Sequence, residues 1–349
     1  MVLTGKGFWR CVAALLISIA ALAASPASAC TVNGTVTNNV GPYSPAAVKA
    51  GAVPAISNQA GLSCGSAVLV LLGGSYIRAT VTSTNNFLLK PSSGANISYT
   101  ASADSAATVP ITQGATVDYM QNNLLNLLGL LGGSDAALPF FIKPSSSTLV
   151  AAGTYSDTIT INWSWRLCSG VYAAGACILG TLDQGTGQSV ITVNLTVAPQ
   201  NMTMVMSTAT TWDSLNTTTN PKALPGSKRR SSVVLTNPDI VPLDSNTVFV
   251  IVPTPAGTYI ALDGDGSSGG AAIQFAQGNP TSGLTFTYTS PSSTSDNVEF
   301  SSDGGSSWGY TPVSGDAASQ SAVTHIRLKP QGIMAAGSSF SVSLSYAVK

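Results

Sequence analysis

Charged side chains are scarce in this sequence. Asp, Glu, Lys and Arg make up 8% of the 349 residues, and 14 basic residues balance 14 acidic ones, so the formal net charge is zero. A neutral chain has no electrostatic attraction for nucleic acid or for an anionic membrane surface. We therefore expect no nucleic-acid partner.

The side chains that most often perform acid–base catalysis are scarcer still. Glu299 is the only glutamate and His325 the only histidine. Any scheme in which histidine activates a nucleophile would depend on His325, which lies in a strand-like pattern. Asp263 and Asp265 resemble a calcium loop, but the bidentate glutamate that an EF-hand places downstream is missing. We expect a protein that is not an enzyme, with no catalytic residue, no metal site and no cofactor.

The shortage of glutamate also removes a common helix former, whereas 34 glycines and 19 prolines supply the turns that many short strands require. Residues 152–167 give the clearest strand pattern, because apolar and hydroxyl-bearing side chains alternate there. Successive side chains of a strand point to opposite faces, so this pattern predicts a long strand with one buried face. The apolar side chains on one parity are Tyr155, Ile159, Ile161, Trp163, Trp165 and Leu167.

Residues 1–29 are typical of a signal peptide. Lys6 and Arg10 form a basic start, residues 12–24 are apolar, and Ala27-Ser28-Ala29 is a small-x-small cleavage site. A transmembrane anchor is the alternative, but the run is shorter than the ~20 residues that cross a bilayer. We expect an exported protein that passes through the periplasm. Lipid modification of Cys30 is a further alternative, although Ala27 stands where such a signal normally has leucine.

Cleavage would remove Cys11 and leave four cysteines: Cys30, Cys64, Cys168 and Cys177. In an exported chain, four cysteines predict two disulfides, for which three connectivities are possible. Cys168 and Cys177 are close in sequence and suit a stapled hairpin, which would leave Cys30 with Cys64. A zinc site is the alternative, but the short paired spacing of metal-binding cysteines is absent.

The chain divides into two regions by its cysteines, none of which follows Val197. Residues 190–197 and 340–348 both alternate as a last strand of a sandwich would. The predicted fold is therefore all-β: two Ig-like antiparallel β-sandwich domains in tandem, over residues 30–198 and 199–349, after the signal peptide. Further strand candidates are residues 67–72, 76–83, 96–103, 202–206, 231–236, 247–252, 284–289, 298–301 and 324–328. We expect Asp303-Gly304-Gly305 to form a tight turn between two of these strands, and residues 228–230 a solvated turn.

A leucine-rich segment interrupts the strand pattern. Residues 123–131 carry leucine pairs every three residues, and Phe140 and Phe141 follow shortly after. One interpretation is a short helix that caps the first sandwich with its leucines in the core. The other is an exposed apolar loop that presses onto a surface, as large exposed apolar patches often do. The candidate adhesive residues are Leu124, Leu125, Leu127, Leu128, Leu130, Leu131, Phe140 and Phe141.

Residues 152–163, read as A-G-T-Y-S-D-T-I-T-I-N-W, resemble the A-G-x-Y-x-D strand of the spore coat protein U domain family. Residues 30–32 and 61–64 are similar to the cysteine-bearing strands at the start of that domain. The resemblance covers roughly residues 30–197. The family includes the secreted pilins of archaic chaperone–usher pili.

The resemblance implies a sandwich that lacks its last strand. A periplasmic chaperone would fill the groove first, and a neighbouring pilin would then donate its strand at the outer-membrane usher. A donor needs a free segment ahead of its first strand, whereas Cys30 follows the cleavage site directly. The chain would therefore accept a strand without donating one, which places it at a fibre tip or as a minor adhesin that binds an unknown surface or receptor.

The second region resembles an Ig-like repeat of bacterial surface proteins, on segments such as residues 233–237 and 336–342. This gives the alternative function, a cell-surface or lipid-anchored Ig-like structural protein that is not part of a pilus. In both cases we expect the protein outside the cytoplasm, at the cell surface or extracellular.

Overall fold

Strands make up almost all of the regular structure in the computed structural model of the protein. It describes residues 30–64, 75–120, 136–168, 171–178, 180–267 and 270–349. Within these ranges the two helices are five residues long, α1 (Pro45–Lys49) and α2 (Ala317–Ser321), and none is long and apolar enough to cross a membrane. The expected all-β fold is confirmed.

Contacts divide the chain into two compact units. The first takes in the described residues of Met1–Val40, Pro54–Pro144 and Thr154–Leu195, and the second those of Gly41–Val53, Ser145–Gly153 and Thr196–Lys349. The domain boundary between residues 198 and 199 stays a prediction. The strands up to residue 197 are β1 (Cys30–Val32), β2 (Thr35–Tyr43), β3 (Ile56–Cys64), β4 (Tyr76–Ser83), β5 (Leu88–Pro91), β6 (Ile97–Ser102), β7 (Pro110–Ile111), β8 (Thr116–Asp118), β9 (Ala136–Ser145), β10 (Gly153–Cys168), β11 (Val171–Ala173), β12 (Ala176–Ile178) and β13 (Leu182–Val197).

Strand β10 organises this part of the chain. It pairs antiparallel with β5 near its start and with β4 along most of its length, and it also pairs with β13. The strands from β1 to β10, with β13, form one hydrogen-bonded network in which β1-β3-β9-β6-β5-β10-β13-β2 is the longest path. The alternating face predicted for β10 is buried along its whole length: Tyr155, Ile159, Ile161, Trp163, Trp165 and Leu167 are each at most 7% exposed.

Both expected disulfides are formed. Cys30 is bonded to Cys64, and these two residues are also register partners in the β1–β3 pair. Cys168 is bonded to Cys177, which joins the end of β10 to the β11–β12 hairpin. A sulfur atom in a disulfide is not available for a lipid thioether, so this pairing disfavours lipid modification of Cys30.

The strands after residue 197 form a sandwich of two sheets. They are β14 (Thr203–Trp212), β15 (Lys228–Thr236), β16 (Val250–Pro253), β17 (Thr258–Ile260), β18 (Ile273–Gln277), β19 (Val298–Ser301), β20 (His325–Leu328) and β21 (Ser339–Val348). One sheet has the order β14-β15-β21-β17, with β18 also on β21, and the other has the order β16-β20-β19. Phe340, Val342, Leu344 and Tyr346 of β21 are completely buried and share one core with both sheets, as their alternation predicts.

Three local predictions for this part of the chain were wrong. Residues 284–289 do not form a strand, because side chains bind their backbone: Asn297 Oδ1 accepts from the N–H of Thr287, and Asp296 Oδ2 from that of Thr289. Residues 303–305 do turn, but a long connection containing α2 follows before β20. Residues 228–230 begin β15 rather than a turn.

Lys228 and Arg230 form ion pairs, which explains why residues 228–230 are not a solvated turn. Lys228 Nζ lies 2.7 Å from Asp263 Oδ1, and Arg230 Nε lies 2.7 Å from Asp265 Oδ2. The two carboxylates that resemble a calcium loop are thus paired with cations of the chain itself. Although burial raises the pKa of Asp265, hydrogen bonds from Arg230 and Ser267 outweigh burial and lower it. The residues that the structure describes contain no cluster of three or more His, Cys, Asp or Glu side chains suited to a metal ion.

Candidate functional site

The ends of several strands meet at one end of the first unit. Cys64 closes β3 and is the register partner of Ala136, which opens β9. Ser75, just before β4, accepts a hydrogen bond of 3.2 Å at Oγ from the N–H of Cys168, the last residue of β10. Strand β8 runs antiparallel to β4, and the N–H of Tyr119 donates to the carbonyl of Ile77.

The Tyr119 hydroxyl donates to the carbonyl of Pro139 in β9, and Asp183 accepts from both Cys30 and Trp165, so these strand ends lie together. The connections between residues 64 and 75, 120 and 136, and 168 and 182 therefore begin and end at this same end of the unit. We call it the loop-bearing end. The leucine-rich segment with Leu124, Leu125, Leu127, Leu128, Leu130 and Leu131, and the apolar run at residues 67–72 that we expected as a strand, lie outside the described residues. The described residues that flank the two segments lie at the loop-bearing end, which the sequence did not indicate.

Apolar side chains are exposed on the described part of the loop-bearing end. Val171 and Ile178 are cross-strand partners in the β11–β12 hairpin and are 43% and 44% exposed. Leu182, at the start of β13, is 42% exposed. Exposing one such side chain is common, but Val171 and Ile178 project on the same face of the hairpin and form a small apolar pair there.

Phe140 and Phe141 do not belong to such a surface. Both lie in β9, where Phe140 is the register partner of Asn58 and is completely buried, while Phe141 is half-buried. The prediction that Phe140 is part of an exposed adhesive loop was wrong, because the segment continues as a strand whose inward side chain enters the core.

A buried carboxylate, which we did not single out from the sequence, lies at the centre of the A-G-x-Y-x-D strand. Asp157 is 1% exposed and stands on the apolar parity of β10. Its Oδ2 accepts hydrogen bonds of 2.6 Å from Ser83 Oγ and from the Tyr99 hydroxyl. Its Oδ1 accepts from the N–H groups of Asn85 and Thr158. The sequence did contain a signal for this site: Asp157 is the single break in the alternation, an aspartate where an apolar residue is expected.

This cluster has the character of a structural support rather than a reactive centre. Burial raises the pKa of Tyr99, and the hydrogen bond to Asp157 and its negative charge raise it further, so the phenol keeps its proton. Both carboxylate oxygens are occupied by donors of the chain. The cluster therefore fixes the turn after β4 to the start of β10.

The second unit carries an open sheet edge at β14. Among the described residues β14 pairs with β15 alone, so its other edge presents unpaired backbone N–H and C=O groups. No side chain between Thr203 and Thr211 is charged. An uncharged, unprotected edge is a template for another strand.

The side of β14 that faces the core is open as well. Met204 lies opposite Leu235 and Met206 opposite Val233, and both of these β15 residues are buried in the core. Cross-strand partners project on the same face of a sheet, so both methionines point to the core side. Yet Met204 is 58% exposed and Met206 is 47% exposed. The core therefore ends at β15, and no described element covers β14 from the opposite sheet.

Together these features define a disulfide-bonded all-β protein with a loop-bearing end in the first unit and an open sheet edge at β14 in the second. Residues 16–162 match the family model described as Spore Coat Protein U domain. The resemblance predicted from residues 152–163 is thereby confirmed. We had expected the resemblance to cover roughly residues 30–197. The match begins before Cys30 and ends before Val197.

Two of the matches among solved structures are both distant. One is the CsuC–CsuE chaperone–tip adhesion subunit pre-assembly complex from archaic chaperone–usher Csu pili of Acinetobacter baumannii, at 14% identity and a TM-score of 0.43, covering 90% of this chain and 94% of that chain. The other is a putative membrane-anchored protein from Corynebacterium diphtheriae, at 12% identity and a TM-score of 0.21, covering 93% of this chain and 52% of that one. Neither similarity is close enough to carry a functional argument. No curated protein matches the sequence.

Proposed function

We propose that the chain is a non-catalytic, exported subunit of a chaperone–usher pilus, at the tip or as a minor adhesin, assembled by donor-strand complementation. The observation that carries the proposal is the open edge at β14, where Met204 and Met206 face the core side of the sheet and are nonetheless half exposed. The Spore Coat Protein U domain over residues 16–162 supports the same assignment.

The geometry of β14 supports an extended strand as its occupant. A strand that paired with the free edge would satisfy the backbone groups, and its alternate side chains would lie over Met204 and Met206. Because Met204 and Met206 are apolar and continue the core side of the sheet, we expect those inward side chains to be apolar as well. A periplasmic chaperone supplies such a strand first, and a neighbouring pilin replaces it at the outer-membrane usher. The incomplete sandwich that the resemblance implies for the first region stays a prediction, and the edge described here belongs to the second unit.

The tip position is supported by the first residue of β1. Cys30 is bonded to Cys64 and paired with it in register, so β1 is fixed within its own sheet. If export cleaves the chain after Ala29, no free segment precedes β1 to complete a neighbour. Such a subunit accepts a strand and ends the fibre, and its loop-bearing end is available for a surface or receptor.

Co-purification with the cognate periplasmic chaperone tests the assignment. Met204→Asp with Met206→Asp puts charge on the core side of β14, and we expect at least a tenfold loss of chaperone recovered, because two apolar contacts of about 1 kcal/mol each are lost. Val205→Asp is the matched control: Val205 lies on the opposite face at 64% exposure, so its replacement leaves chaperone binding intact.

The rival assignment, a cell-surface Ig-like protein outside any pilus, predicts a different result. The chain would then be monomeric and fully folded without chaperone, and it would bind no strand. Equal effects of the Met204/Met206 and Val205 variants would likewise count against donor-strand assembly.

A further inference from the structure

Asp183, near the start of β13, binds the first residue of β1. Its Oδ2 accepts a hydrogen bond of 2.9 Å from the backbone nitrogen of Cys30, and its Oδ1 accepts one of 3.3 Å from the indole N–H of Trp165. Cys30 is 2% exposed, Trp165 is 7% exposed and Asp183 is half-buried. The carboxylate thus lies in a partly desolvated setting between β1, β10 and β13.

Within the described part of the chain, this carboxylate has no side-chain counter-ion. The ion pairs within the described ranges involve Asp118, Asp263, Asp265 and Glu299, and none includes Asp183. Removing a carboxylate from water without an opposite charge is unfavourable, and two neutral N–H donors compensate only part of that cost. The nitrogen of Cys30 is placed where a positive charge would complete the pair.

We propose that Asp183 is the docking site for a new amino terminus created by proteolytic processing between Ala29 and Cys30. An exported-protein peptidase would add water across this peptide bond: the Ala29 carbonyl leaves as a carboxylate, and the Cys30 nitrogen takes up a proton and becomes an α-ammonium group. The bond that Asp183 now accepts from a neutral amide then becomes a charge-assisted one at the same place. Processing therefore supplies the missing counter-ion.

The consequence is a processing-dependent lock on β1. The Cys30–Cys64 disulfide ties the side chain of Cys30 to β3, and the ion pair ties its main chain to β13. An amino terminus one residue longer would move the ammonium group about 3.8 Å along the chain and lose the pair. This inference rests on the predicted signal peptide and stands or falls independently of the pilus assignment.

The first measurement is the intact mass of the full-length gene product purified from the periplasm. We expect the mass of the chain that starts at Cys30 with two disulfides and a free amine. A different first residue, or the added mass of an acyl or lipid group on Cys30, would overturn the proposal.

The second measurement is the rate at which an amine-reactive acylating reagent labels the α-amine, read by peptide mass spectrometry. In the form that starts at Cys30, Asp183→Asn should speed labelling about tenfold, since an ion pair that shifts the amine by one pKa unit changes its unprotonated fraction tenfold. Asp183→Glu keeps the charge and should label slowly, and Asp118→Asn is the control for losing a carboxylate elsewhere. In a form that retains Ala29, labelling should be fast with either Asp or Asn at residue 183.

A purely structural role for Asp183 gives a different pattern. Asp183→Asn would then lower stability equally in the two forms and leave the labelling of the Cys30 form unchanged. That result would disprove the ion pair even if the mature chain begins at Cys30.

Discussion

The hydroxyl of Tyr99 donates a 2.6 Å hydrogen bond to Oδ2 of Asp157, and both side chains are buried, at 4% and 1% exposure. Ser83 donates to the same oxygen, and backbone N–H groups occupy the other. Every donor in this cluster is satisfied by one carboxylate. The A-G-x-Y-x-D pattern thus encodes a buried polar junction in addition to a strand.

Asp157→Asn should therefore destabilise the first unit. An amide has one acceptor oxygen instead of two, so at least one buried donor loses its partner, at a cost of about 2 kcal/mol. Urea unfolding followed by tryptophan fluorescence measures this, since Trp163 and Trp165 lie in the same strand. Asp118→Asn is the control: its salt bridge to the half-exposed Arg78 is worth less than about 1 kcal/mol. Equal losses in the two variants would contradict a special role for Asp157.

The sequence predicted a strand correctly where alternation of apolar and polar side chains was the main signal. It failed where side chains take the hydrogen-bond donors of the backbone. Alternation was sufficient to predict β10 and β21, because a strand with one buried face has an apolar side chain at every second residue. It failed at residues 284–289, where Leu284, Phe286 and Tyr288 do face the core, but Asn297 and Asp296 take the backbone donors that a strand would need.

The candidate sites were harder to predict, because they depend on what is missing around a residue. Met204 and Met206 alternate like any strand residues, and their exposure follows only from the absence of a covering strand in the described part of the opposite sheet. Asp183 gave no local signal either, since its contact with Cys30 spans 153 positions of sequence. The leucine-rich segment was visible in the sequence, but the common position of the residues that flank it and two other connections required the register of β3, β4 and β10.

The two disulfides should differ in their contribution to stability. Cys30–Cys64 closes a loop with a separation of 34 residues and Cys168–Cys177 one of 9. Loop-closure entropy then predicts losses of about 4 and about 3 kcal/mol when each pair is replaced by serine. Thermal and urea unfolding of the two double variants measure the difference. A larger loss from the hairpin pair would show that the entropic account fails here.

Asp213 should make the second unit sensitive to strong acid. The N–H of Asn216 donates to the Asp213 carboxylate at 2.6 Å. Further hydrogen bonds come from the N–H groups of Lys222 and Leu215 and from the Asn216 amide. Together these bonds outweigh burial and lower the pKa of Asp213 to about 2. A carboxyl whose folded pKa is depressed stabilises the fold above its unfolded pKa of about 3.9. That contribution is lost as the pH falls from about 4 to about 2.

A pH titration of the unfolding midpoint measures this, with Asp213→Asn as the test variant. The variant should be less stable than the parent chain at neutral pH, and the difference should shrink as the pH falls through this window. A difference that does not change between pH 5 and pH 2 would show that the Asp213 charge contributes nothing.

The hairpin at the loop-bearing end gives the most direct test of adhesion, because its exposed residues are replaceable without touching the core. Val171→Asp with Ile178→Asp converts the cross-strand apolar pair into two charges, and desolvating them at a surface opposes attachment. Each lost apolar contact is worth about 1.5 kcal/mol, so attachment of the protein to an apolar surface should fall at least tenfold. Leu149→Asp, at a side chain 63% exposed outside the hairpin, is the matched control and should attach normally.

Leu127→Asp with Leu128→Asp tests the leucine-rich segment in the same assay. Loss of attachment in a folded chain supports the adhesive interpretation, and gross unfolding supports a core helix. If the hairpin variant attaches like the parent chain while the leucine variant does not, adhesion depends on the connection between residues 120 and 136 and not on the hairpin.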